Sequence, residues 1–119
     1  MKTIICDVDG TLTKFMYGGH KAIMEEHEAL PGVVGKMRQW ESAGHRIILI
    51  TGRRESVREH TESELRRLGV PFDMLLMGYA DTGRILINDI GSKGNMKCHA
   101  IPLARDGGFN KTNWNVAGL

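Results

Sequence analysis

The sequence predicts an α/β fold: a three-layer α/β/α sandwich around a mainly parallel sheet. Three observations lead to it. Apolar runs recur at residues 4–6, 47–50 and 85–87, and they are continuous rather than alternating, as expected of strands covered on both faces. Stretches with helical spacing of apolar residues lie between them, and repeated strand–helix–strand units imply parallel pairing. Finally, the runs end in polar residues: Asp7 and Asp9, then Thr51-Gly52-Arg53, then Asn88-Asp89. In an open parallel sheet such ends gather at one edge, where ligands bind.

Each element follows in chain order. Residues 2–7 form the first strand. The polar stretch after it carries Gly18-Gly19, a pair suited to a hairpin turn. Pro31 opens a helix over residues 32–42, with Val33, Met37 and Trp40 on one face and Gly44 as its stop. Residues 46–51 are the second strand. The second helix covers residues 55–68, with Val57, Thr61, Leu65 and Leu68 inward, and Gly69 and Pro71 end it. Residues 74–77, 84–88 and 97–103 are read as strands three, four and five. The domain is drawn as a core over 1–105, with a tail over 106–119 that no pattern places.

Composition narrows the class. At 119 residues, 41% hydrophobic and 25% charged, the chain is one ordinary globular domain. A net charge of +2 tolerates phosphate-bearing ligands without indicating nucleic acid. No run of about 18 apolar residues exists, so no membrane span is expected. The first strand begins at once and carries a carboxylate by position 7, which is unlike a signal peptide. Cys6 and Cys98 read as reduced core thiols, which suits the cytoplasm. The five histidines show no zinc-ligand spacing and are expected at the surface. Trp40 is expected in the core, and Trp114 as a packing anchor or an interface residue.

The strand ends bring three carboxylates, a hydroxyl and nearby cations to one crevice. Hard oxygen donors of this kind suit magnesium, which binds one or two carboxylates together with waters and a substrate phosphate.

The segments Asp7-Val8-Asp9-Gly10-Thr11-Leu12-Thr13, Ile48-Leu49-Ile50-Thr51-Gly52-Arg53 and Ile87-Asn88-Asp89 resemble, in order, the motifs of the haloacid dehalogenase superfamily, in its phosphatase branch. The resemblance implies a Rossmann-like sheet and magnesium-dependent hydrolysis of a phosphate monoester. It makes Asp7 the nucleophile that forms an aspartyl-phosphate, and Asp9 the acid that protonates the leaving oxygen and then the base that activates water. It assigns magnesium to Asp7, Asp9 and Asp89, and phosphoryl oxygens to Thr51, Gly10 and Gly52. The family expects a lysine near the last motif, but none stands between Met77 and Arg84. Arg84 is the first candidate for that catalytic role and Lys93 the second, although Asp81 also lies close to Arg84 in sequence.

The spacings between the motifs leave no room for the cap domain that many relatives insert. The segment 14–28 would then be a small flap over the site. Thr13, Tyr17, His20, Lys21, Arg53 and Lys93 are the candidates for substrate contact, with Met16 beside them. Capless relatives act on large substrates or cover the site by forming a homo-oligomer. The substrate is expected to be a sugar phosphate or similar metabolite. The alternative is a phosphorylated macromolecule end, because residues 7–14 also resemble the opening of polynucleotide 3′-phosphatase domains. A catalytically weak phosphate-binding or signalling module is the reading from a different class, motivated by the missing lysine.

Overall fold

A computed structural model describes residues 1–80 and 82–119. Asp81, the alternative partner for Arg84, lies outside the described residues. Three strands form one parallel sheet in the order β1 (Thr3–Asp7), β2 (Arg46–Ile50), β3 (Met74–Leu76). Ile4 is in register with Ile47, Cys6 with Leu49, and Leu49 with Leu75. Because side chains alternate across a sheet, these residues share one face, and on β2 and β3 that face is buried. The opposite face is more open, with Ile5 54% and Met74 53% exposed.

Among the described residues, three α-helices accompany the sheet: α1 (Gly19–Ile23), α2 (Val33–Ser42) and α3 (Arg58–Leu68). Helix α2 connects β1 to β2 and buries Val33, Met37 and Trp40, the face its spacing predicts. A 3-10 turn at Glu55–Val57 leads into α3, which buries Thr61, Glu64 and Leu65. Gly69 ends it in the left-handed conformation, φ 79°, that a non-glycine side chain resists. The core of Val8, Leu12, Met37, Ile47, Leu49 and Leu65 is almost free of solvent. Each such side chain contributes about 1.5–3 kcal/mol through removal from water.

Several expectations are corrected. Gly18-Gly19 does not turn a hairpin: Gly18, at φ 120°, precedes helix α1. Residues 84–88 and 97–103 are not strands. Ile85 and Ile87 are 91% and 92% exposed, so the apolar run that suggested a buried strand has no layer over it. Cys98 consequently lies outside any strand, and both thiols are free.

The tail packs back on the body. Phe109 is buried, its N–H donates to the Pro31 carbonyl at 2.9 Å, and Trp114 stacks edge-on against Trp40 with centroids 5.0 Å apart. Trp114 is therefore a packing anchor.

Candidate active site

The site is built where β1 ends. After Asp7 the chain turns sharply: the N–H groups of Thr11 and Leu12 both donate to the Val8 carbonyl, and Gly10 donates to Thr13 at 2.7 Å. Gly10 makes this turn at φ 88°, a value that favours glycine. Val8 and Leu12, wholly buried, anchor the turn. The two carboxylates thereby leave the strand at the sheet edge, on different neighbours.

Asp9 meets a buried arginine. Arg53 Nη2 lies 2.7 Å from Asp9 Oδ1, and Nε lies 3.2 and 3.1 Å from Oδ1 and Oδ2. Thr51 Oγ1 donates to Oδ2 at 3.3 Å and accepts the Arg53 N–H at 3.1 Å. The guanidinium also donates to Thr61 and, at 3.4 Å, to Glu64. Its side chain is 1% exposed. Burial by itself would lower the Arg53 pKa, but hydrogen bonds and charge from Asp9, and then Glu64, outweigh it and raise it. The arginine is thus a permanent buried cation shared by two carboxylates.

Asp7 meets a different cation. Arg84 Nη1 donates to Asp7 Oδ1 at 2.8 Å, and Thr11 Oγ1 donates to Oδ2 at 3.1 Å. Both charged side chains are about 30% exposed, Arg84 at 31% and Asp7 at 29%. The carboxylate is therefore held yet reachable. The adjacent Cys6 thiol is pushed up to about 12 by burial, then by the Asp7 charge, and is an inert neutral group there.

Asp89 does not join them. It is 74% exposed and pairs with Lys97 at 2.6 Å. Among the described residues, no three His, Cys, Asp or Glu side chains come together as a metal-holding group. The reason is the missing fourth strand: with residues 84–88 unpaired, nothing carries Asp89 to the edge of β1. Asp7 still fits a magnesium ion, since its side chain is 29% exposed and its Oδ1 already takes one cation.

The remaining candidates divide. Thr51 is buried beside Asp9, and Gly52 is exposed next to it. Tyr17, 76% exposed, accepts from Arg105 at 3.2 Å, and His20 and Lys21 sit exposed on α1. Lys93 is exposed in the turn where Gly94 N–H meets the Gly91 carbonyl. Two expected substrate contacts are corrected. Thr13 is wholly buried between bridges to Asp9 and Ala29, so its hydroxyl faces the interior. Arg53 points inward to Asp9 instead of outward to solvent, because two carboxylates wait for it there.

Two residues went unnoticed in the sequence. Glu64, 4% exposed, lies on the inner face of α3 one position before Leu65. His27, expected at the surface, meets Glu64 at 2.6 Å with its side chain only 12% exposed. A charge on the apolar side of an amphipathic helix was the available signal. The tail contributes as well: Asp106 Oδ1 accepts the Phe15 N–H at 2.6 Å, its own N–H donates to Gly10, and Arg105 lies over the Phe15 ring at 3.9 Å.

The family model of the polynucleotide kinase PNKP phosphatase domain matches residues 1–85. Among solved structures, a chain of the Pnkp1/Rnl/Hen1 complex is 30% identical with a TM-score of 0.55, over 71% of this chain and 30% of that one. The class C acid phosphatase from Bacillus anthracis is 26% identical with a TM-score of 0.58, over 64% of this chain and 40% of that one. A target protein from Vibrio cholerae shares the fold, at 21% identity and a TM-score of 0.52, over 74% of this chain and 80% of that one. This chain thus spans less than half the length of the first two. No curated protein matches. The family model covers well over half of the chain, and the chain belongs to the PNKP phosphatase-domain family of the haloacid dehalogenase superfamily.

Proposed function

We propose that the chain hydrolyses phosphate monoesters through an aspartyl-phosphate on Asp7, with magnesium as cofactor. The observation that carries this reading is the division of labour between the two carboxylates. Asp7 is accessible and neutralised by Arg84 Nη1 at 2.8 Å, so an anionic phosphoryl group can approach it. Asp9 is fixed in place by Arg53 and Thr51.

In the proposed reaction an Asp7 oxygen attacks phosphorus as the bond to the leaving oxygen breaks. Asp9 supplies the proton that the leaving oxygen takes up. In the second step Asp9 removes a proton from water, whose oxygen attacks phosphorus and releases Asp7 and inorganic phosphate. Arg84 takes the place of the family lysine, offsetting charge on the nucleophile and the transferring group. The Asp7 carboxylate and the Asp9 carbonyl would hold magnesium, which would neutralise phosphoryl charge when bound.

Two substrate classes are in view. The near balance of charges, 16 basic against 14 acidic residues, favours a sugar phosphate or similar small metabolite. The family match and the resemblance to a chain of the Pnkp1/Rnl/Hen1 complex favour the second, a phosphorylated polynucleotide end. The test is phosphate release from an aryl phosphate, sugar phosphates, nucleotides and 3′-phosphorylated oligonucleotides, with and without magnesium, beside Asp7→Asn. Metal-dependent release is expected, lost by on the order of 10³-fold or more in the variant. Absence of release from every ester overturns the reading in favour of a binding or signalling module.

A further inference from the structure

Four ionisable side chains form one continuous chain that runs inward from Asp9. Asp9 is bound to Arg53, Arg53 reaches Glu64 at 3.4 Å, and Glu64 Oε2 is 2.6 Å from His27 Nδ1. His27 Nε2 then lies 2.9 Å from the carbonyl of Ala22 in helix α1. Both partners of the imidazole, a carboxylate and a carbonyl, accept hydrogen bonds and do not donate them. The ring satisfies both only with a proton on each nitrogen.

We infer that His27 is a positioning residue: its imidazolium clasps the flap to α3 and holds Glu64, leaving Arg53 to hold Asp9. The inference rests on the phosphatase reading only for its catalytic consequence. The other charges around His27 do not replace it. Arg67 of α3 donates to the His27 carbonyl at 2.6 Å and pairs with Glu26 of the flap segment at 3.5 Å. His60 Nε2 is 3.9 Å from Glu64 Oε2 and has no hydrogen-bond partner. When the His27 ring is neutral, it loses one of its two bonds, and Glu64 loses the charge that balances it. Glu64 then draws Arg53, which it already contacts, away from Asp9, and the flap loses its tie to α3.

Nitrogen-15 NMR of the histidine rings in the full chain, with amide hydrogen exchange of residues 19–28, tests this. Both His27 nitrogens are expected to carry protons, and the amides of that segment to be protected from exchange. His27→Gln should lose that protection, and the ring spectrum of the unaltered protein reads the clasp if that variant fails to fold. With an active enzyme, His27→Gln should lower kcat about tenfold while KM stays within about twofold. A His27 ring with a proton on one nitrogen only, or exchange unchanged in His27→Gln, overturns the inference even if phosphate is released. An intact clasp in a protein that hydrolyses no phosphate ester overturns the phosphatase reading and leaves the clasp standing.

Discussion

Asp7 and Asp9 leave the same strand through the same turn, yet they belong to two differently built regions. Asp9 belongs to the packed body of β1, β2 and α3, where its arginine is 1% exposed and bound to three further groups. Asp7 faces the segment after β3, whose arginine is 31% exposed and whose apolar neighbours Ile85 and Ile87 stand in solvent. The contrast separates two tasks. A buried, permanently charged clamp keeps one carboxylate still, because moving it would strand a charge in the core. An exposed pair can open, which suits the carboxylate proposed to receive a phosphoryl group.

The largest effect should come from breaking the buried side. Arg53→Met leaves Asp9 and Glu64 without their shared cation and should cost about 3–5 kcal/mol, seen as a lower urea midpoint at constant slope. A loss below about 1 kcal/mol would show that both carboxylates reach water and that the clamp is no core element. A pair of apolar substitutions sharpens the same contrast. Ile47→Ala, in the centre of the sheet and 1% exposed, should cost about 2–5 kcal/mol. Ile87→Ser should change stability by less than about 0.5 kcal/mol. Similar costs for the two would mean that the segment carrying Ile87 is packed.

Arg84→Ala should leave stability within about 1 kcal/mol, because the pair is exposed to water and screening. Under the proposed reaction phosphate release should nevertheless fall about a hundredfold, since a donor beside the proposed nucleophile is lost. Unchanged turnover would transfer the role of the missing lysine to another residue. The smallest effect concerns Cys6. Its thiol is raised from 9.0 to about 12 in the folded chain, so the unfolded thiol ionises first. Stability is therefore unaffected by this group below about pH 9 and declines as the pH rises from there towards 12. Alkylation of Cys6 at about pH 8.5 should be slow in the native protein and reach the ordinary thiol rate in denaturant.

The sequence by itself determined the strands over β1, β2 and β3, the inner faces of α2 and α3, and the placing of Asp7 and Asp9 at the end of β1. These are local: apolar spacing, glycine stops and the turn at Gly10 carry their information within a few residues. It also determined family membership, because the motif around Asp7 is contiguous. What only the tertiary structure decided is the company each charge keeps. Whether residues 84–88 become a strand depends on the sheet edge they would join, and an apolar run carries no record of a partner's absence. That Arg53 turns inward depends on Glu64 and Thr61 one helix away, and that His27 is buried depends on a flap folding over α3. A charged side chain looks the same in sequence whether it faces water or a counter-charge, since the energy that decides between them lies in contacts across the fold.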